Sequence, residues 1–278
     1  MTVGLVAALA AAALFGVAAV VQARAARDLD GDAGGSIGPQ LIRGVVTQPL
    51  FLLAVLMNLG GFGLHFLALR ALPLFLAQAA ISTSLVVTAL LAVRTLGERL
   101  RSSDWVAIGG VVVGLVMLSL SAGDHATVTP AASTGWYLLV LAAAVVVAAL
   151  VIDRTGPHPF ALGLLAGTLF GTVSIAGRLV PGSVADLATS PATYALALAG
   201  ASAFLVYSVA LRRGHVARVT APLVAMQTVL PAAVGLAFLG DSIRSGWVAV
   251  ACIGLVVTLA GSAALARFEA TGHESVAH

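Results

Sequence analysis

Apolar runs of roughly twenty residues, the length of a membrane-crossing helix, recur along this chain with short polar stretches between them. The runs fall at about 3–23, 49–69, 72–93, 104–121, 134–152, 159–177, 191–211, 219–239 and 246–266. At about 1.5 Å of rise per residue, each can cross the roughly 30 Å hydrocarbon core of a bilayer as an α-helix. They are too long and too uniformly apolar for the alternating strands of a transmembrane barrel. The separators are rich in Gly, Pro, Asp and Arg, which turn the chain or hold it in water. The pattern predicts an all-α polytopic membrane protein of about nine transmembrane helices, numbered here helix 1 to helix 9.

Composition agrees. Of 278 residues, 60% are apolar and 9% are charged, where a soluble domain carries about a quarter charged. In lipid the backbone must be satisfied internally, which leaves helices or a closed barrel. The formal net charge of +3 does not point to nucleic acid, because the charges lie between apolar runs and not in a patch with interleaved aromatics. The single cysteine, Cys252, excludes an intrachain disulfide and any cysteine-based metal or redox centre.

Charge changes the picture by setting orientation. All 14 basic residues are arginines. The first run has no basic residue before it and is followed by Arg24 and Arg27, the reverse of a signal peptide. It reads as a retained helix with its N-terminus outside. The inside loops and tail then carry Arg24, Arg27, Arg43, Arg94, Arg99, Arg101, Arg154, Arg212, Arg213, Arg218 and Arg267, and the outside loops only Arg70, Arg178 and Arg244. That bias follows the positive-inside rule and places the C-terminus in the cytoplasm of a cell (plasma or inner) membrane protein. The long loop after Arg24, with Asp28, Asp30 and Asp32, reads as a solvated cytoplasmic segment. Residues 268–278 read as a disordered cytoplasmic tail.

One stretch occurs twice. Gly97-Glu98-Arg99-Leu100-Arg101-Ser102-Ser103-Asp104-Trp105-Val106-Ala107 returns, one residue shorter, as Gly240-Asp241-Ser242-Ile243-Arg244-Ser245-Gly246-Trp247-Val248-Ala249. About five crossings separate the copies, an odd number, so the second half is inserted upside down. Ala68-Leu69-Arg70 and Ala210-Leu211-Arg212 extend the pairing to helices 2 and 7, and helices 1 and 6 pair by position. The chain divides into a first repeat at 1–132 with helices 1–4, a connector helix 5 at 133–158, a second repeat at 159–267 with helices 6–9, and the tail. Inverted repeats are a signature of secondary transporters, whose substrate site lies between the halves.

On these residues the chain resembles the drug/metabolite transporter superfamily, in the branch with the EamA-type repeat. The Gly97–Leu100 turn into a Trp-containing, glycine-rich helix is similar to that family's hallmark, and 240–247 is a degenerate second copy. Nine crossings with an outside N-terminus, and the stretch from Phe15-Gly16 through Gln22 to Arg24, resemble the NIPA-like magnesium transporters. The resemblance implies an inverted-repeat helical fold and a transport function.

Polar residues inside a membrane core are costly and therefore candidates for a substrate pathway. His65 is the one ionisable residue well within a span; it reads either as a pathway group or as a neutral imidazole bonded to a carbonyl. Gln78 and Ser82 share a stripe of helix 3 with Thr83, Ser84 and Thr88 nearby, and Gln227 and Thr228 lie in helix 8 between Pro222 and Pro231. These stripes would face each other if the repeat mates meet, or the hydroxyls would bond their own helices and the glutamines pin helices together. Asn58, Gln22 and Tyr207 complete the expected lining. Glu98 and Asp241 stand at helix starts as caps or gate residues, and Trp105 and Trp247 as interfacial anchors. Gly110 with Gly114, and Gly163, Gly167 and Gly171, form small-residue faces for close packing, including a homodimer contact.

No catalytic, metal-binding or cofactor motif stands in the chain: there is no His-Glu-x-x-His, no phosphate-binding glycine loop with a lysine and no CxxC. The expected function is alternating-access transport of a small organic metabolite, with Mg²⁺ as the alternative cargo and a non-transporting membrane scaffold as a further alternative. Reporter fusions at the two ends check the orientation: the N-terminal one should be active outside the membrane and the C-terminal one inside.

Overall fold

The structure, a computed structural model, describes residues 2–30, 49–95, 100–123, 133–156, 158–181, 183–213 and 216–274. Among these residues the long helices are α1 (Thr2–Asp30), α2 (Pro49–Ala71), α3 (Leu74–Thr95), α4 (Ser102–Ser121), α5 (Ser133–Thr155), α6 (Pro159–Leu179), α7 (Pro191–Arg213), α8 (Val216–Phe238) and α9 (Val248–Glu274), with one four-residue helix, Val184–Leu187, between α6 and α7. All but α7 and α8 hold an apolar stretch long enough to cross a membrane; those two hold the shorter stretches Pro191–Tyr207 and Pro222–Phe238.

Local chemistry explains the boundaries. Pro49, Pro159 and Pro191 are the first residues of α2, α6 and α7, where a missing N–H leaves no bond unmade. Pro73 separates α2 from α3. Leu72 N still donates to Ala68 O at 2.9 Å, and Leu76 and Ala77 N both donate to Pro73 O at 3.0 Å, so the chain reverses within two residues. At the start of α4, Asp104 Oδ2 accepts a hydrogen bond from Arg101 N at 2.7 Å, one half of a capping box. Inside α8, Pro222 and Pro231 each remove one backbone bond. For Pro231 the carbonyl that loses its helical donor is that of Gln227.

Two helices outrun their expected ends. α1 continues through Asp30 and α9 through Glu274, so most of the segment 268–278, expected to be a disordered tail, is helical. Neither extension contains a proline, and both carry Arg and Ala, which favour helix. Residues 31–48 and 275–278 lie outside the described residues.

The packing has a recurring form. α1 packs on α2 and α3, and α6 packs on α7 and α8. α3 then meets α4 and α8, α8 meets α9, and α4 meets α9, while α5 lies on α6 and α7. Over half of α3 and α6 is buried (56% and 61% of their spanning residues) against 28% of α2, α4 and α5, so α3 and α6 are central. The largest apolar cluster runs through Leu69, Leu72, Leu74, Phe75, Leu76, Leu118, Ile175 and Leu239. It gathers the end of α2, the start of α3 and the ends of α4, α6 and α8 at one end of the bundle, called here the α2–α3 end.

Glycine sets the closeness of the helix pairs. A Cβ on Gly114 would stand 2.7 Å from Gly254 O, and one on Gly261 2.7 Å from Ala107 O, so α4 and α9 meet backbone to backbone. On α6, a Cβ at Gly163 would lie 3.1 Å from Val219 Cα and one at Gly167 2.8 Å from Leu223 Cα, both in α8. The glycine faces expected to offer a contact to a second copy are therefore engaged within the chain, because without a hydrophobic drive between helices close van der Waals contact holds the bundle.

A side chain at Gly167 would have to displace the backbone of α8. Gly167→Val should lower the unfolding midpoint in detergent by the cost of overpacking, about 1–3 kcal/mol. Gly109→Ala, whose Cβ would meet nothing within 4 Å, should leave the midpoint where it is; equal midpoints for the two variants would contradict this packing.

Candidate functional site

Lipid gives a hydroxyl no partner, so most hydroxyls in the spans turn back on their own helix. Thr228 Oγ1 donates to Val224 O at 2.9 Å and Thr172 Oγ1 to Thr168 O at 2.9 Å. Thr88 Oγ1 donates to Ser84 O at 3.0 Å, and Thr83 Oγ1 to Ala80 O at 2.6 Å. Thr228, expected in the pathway, thus directs its donor to its own helix.

Gln78 behaves differently, because its amide extends beyond its own helical turn. It is buried in α3, and its Nε2 donates to Ser174 Oγ of α6 at 2.5 Å. Ser174 Oγ in turn donates to Phe170 O at 3.3 Å, and Ser82 Oγ donates to Gln78 O at 3.1 Å. Ser82, Gln78, Ser174 and Phe170 thus form one hydrogen-bonded thread across the two central helices. The partner of Gln78 is on α6, and not the expected Gln227 of α8. Gln227 is half-buried, next to the turn that Pro231 loosens.

The other expected lining residues are dispersed. His65 is 8% exposed on the face of α2 that packs on α1 and α6, and its Nδ1 has no hydrogen-bond partner among the described residues. Gly61, one turn before it, takes the Phe15 ring of α1, and Leu69, one turn after it, lies against Gly177 of α6. Asn58 is half-buried two turns away on α2. Tyr207 is half-buried against apolar clusters that include Leu162, Ala210, Val219 and Leu223, away from Gln78. Neither the side chain of Gln22 nor any atom of Glu98 is among the described residues. Trp105 is 57% exposed, while Trp247 is half-buried with the Arg244 guanidinium 5.7 Å from its ring centroid.

Asp241 does not cap the helix it precedes. Its carboxylate, fully buried, accepts from Arg178 NH1 of α6 at 2.6 Å on Oδ1 and from Leu74 N at 2.6 Å on Oδ2. It therefore caps α3, in the other half of the chain, and α9 begins only at Val248. Gly240, at φ 72°, turns the chain so that Asp241 N can donate back to Gly235 O at 3.0 Å. Close by, Arg70 donates to Val180 O and stacks over Phe66 at 4.5 Å from the ring centroid. The turns after α4 and α8 are joined by Gly123 N to Ser242 O at 3.0 Å and Arg244 N to Ser121 O at 2.9 Å.

Sequence reasoning missed Ser174 and Arg178. Ser174 follows Gly171 by three positions, on the glycine-bearing side of α6, and a lone serine there looks like any helix-bonded hydroxyl. Arg178 read as a loop charge but lies in the last turn of α6. The signal that paired it was its position on the same predicted side of the membrane as Asp241.

Among the described residues no three His, Cys, Asp or Glu side chains gather as a metal site would require. The arrangement is one of hydrogen bonding by neutral groups on two central helices, closed at one end by an ion pair. No curated protein and no solved structure matches this chain. Residues 36–120, the stretch that holds α2, α3 and α4 with Gln78 and Ser82, match the family model of the EamA-like transporter family.

Proposed function

We propose that the chain is a multi-pass transporter of the cell membrane that moves a small organic metabolite by alternating access between two inverted repeats, 1–132 and 159–267. The observation that carries this reading is the Gln78–Ser174 bond, which places an amide and a hydroxyl at the contact between central helices of the two halves. Such groups hydrogen-bond the polar parts of an amino acid, sugar or nucleobase without the desolvation cost of a buried ion.

Three features support the repeat. The contacts of α1 with α2 and α3 match those of α6 with α7 and α8. Leu14-Phe15-Gly16 of α1 recurs as Leu169-Phe170-Gly171 of α6, which pairs helices 1 and 6 by residues and not by position alone. A Cβ on Gly16 would press on Val87 of α3, and one on Gly171 on Leu230 of α8. Val87 and Leu230 are separated by the same offset as Gly97 and Gly240. Pairs of half-buried helices related in this way can rock against each other around a fixed site.

A ligand that binds the folded state stabilises it by mass action. Thermal unfolding of the purified protein in detergent, against amino acids, sugars, nucleosides, quaternary amines and Mg²⁺, should show a shift with one organic class. Gln78→Ala should abolish that shift and reduce flux in proteoliposomes by about tenfold, the effect of losing about 1.4 kcal/mol of binding. It should leave the fold intact, since an interhelical hydrogen bond in a membrane averages only about 0.6 kcal/mol. A shift with millimolar Mg²⁺ but not Ca²⁺ would favour the magnesium reading. Unchanged flux in Gln78→Ala would sink the site, and silence across the panel would favour a scaffold.

A further inference from the structure

The α2–α3 end of the bundle is closed by two kinds of tie. The turns after α4 and α8 are joined by backbone hydrogen bonds, Gly123 N to Ser242 O and Arg244 N to Ser121 O. That tie reinforces the glycine-packed α4–α9 pair, which it can follow as a unit. The tie between the first residue of α3 and the last turn of α6 differs, because it is made by a side chain from a third element. Asp241 joins Leu74 N of α3 to Arg178 of α6, and it reaches both from a turn that belongs to neither.

We propose that the Arg178–Asp241 pair is a gate latch: it holds the α2–α3 end of the pathway shut in this state and must part for that end to open. The proposal rests on the transport reading above. Several observations converge on it. Residues 72–80, the first part of α3 and the hairpin before it, are all buried, whereas Arg94 and Thr95 at the far end are exposed. The latch thus sits in the buried part of α3. Gln78 lies one helical turn inside Leu74, so the latch sits directly over the polar thread. Gly235 leaves the space for the carboxylate: a Cβ there would collide with Asp241 Oδ2 and stand 3.2 Å from Leu74 Cβ.

The chemistry suits a switch better than a rivet. A purely structural contact at this depth is made most cheaply by apolar side chains, since a buried ion pair gains little net stability over a hydrophobic replacement. Parting the pair into a water-filled mouth returns both ions to solvent, so opening does not strand a charge. Shut, the carboxylate makes two short charge-assisted bonds that fix one geometry. The free-energy gap between the states is then small enough for a bound cargo to tip.

The test reads access to the mouth and not flux. In a chain with Cys252→Ser and Gln78→Cys, a membrane-impermeant maleimide is added on the α2–α3 side of vesicles holding the protein in one orientation. The parent should label slowly from that side. Asp241→Asn and Arg178→Gln should each speed labelling by about tenfold or more, and Arg178→Lys, which keeps the charge, should stay slow. Gly235→Ala leaves both charges in place but pushes on the carboxylate, and should also speed labelling. It carries the test if the charge variants do not fold. Rates equal to the parent's in the folded variants would overturn the latch, as would fast labelling of the parent itself. A cargo that is never found would count against transport, while the labelling rates would still judge the latch.

Discussion

The bilayer interior supplies no hydrogen bonds, and most of what is specific in this protein follows from that constraint. A polar group in a span must find its partner inside the chain or remain unsatisfied at a cost of several kcal/mol, as order of magnitude. Short hydroxyls meet the requirement within one turn, as Thr228, Thr172 and Thr258 do, the last donating to Gly254 O at 2.8 Å. Their one donor is thereby used locally. What remains for work between helices is the small set of side chains too long or too charged for that solution: Gln78, Asp241 and Arg178, with His65 still lacking a partner at Nδ1. Of these, Gln78 and Asp241 bond across the two halves of the chain, to Ser174 and to Leu74 N.

The same solvent removes the hydrophobic drive between helices, and glycine takes its place as the means of close approach. α4 against α9 and α6 against α8 approach backbone to backbone at Gly114, Gly261, Gly163 and Gly167. Such contacts resist sliding. The contact of α3 with α6, by contrast, includes two polar links near the start of α3, the Gln78 amide to Ser174 and the Asp241 carboxylate between Leu74 N and Arg178, beside apolar packing. Rigid pairs joined by a few polar side chains are the architecture that a rocking motion requires, because displacement is confined to the joints.

How far this could be read from the chain differs by level. The nine apolar runs located the helices well, since span length is imposed by the bilayer and prolines at 49, 73, 159 and 191 mark the turns. The ends were harder: helical propensity carried α1 to Asp30 and α9 to Glu274, past the point where hydropathy stops. The site was legible in part. A glutamine inside a span advertises an interhelical bond, but periodicity says only which face it occupies, and the Gln78 amide bonds Ser174 on α6. Asp241 had the position of an N-cap and is one, for a helix in the other half of the chain. Local sequence cannot foresee this, because the choice depends on which helix start lies nearest after the bundle assembles. The glycine runs signalled close packing correctly in kind, while the identity of the facing helix depended on the fold.

α5 has no mate. It lies across α6 and α7, and no described helix lies in the same way across α1 and α2. On the inverted-repeat reading, a perfect two-fold would make the two access states related by rotation and equal in free energy, and an empty carrier would divide its time evenly between them. A ninth helix on one side only lifts that degeneracy. On that reading one half would move with an extra helix attached. The resting preference for one side of the membrane would then be a property of the chain's odd helix count, present before any cargo binds and sensitive to bilayer thickness.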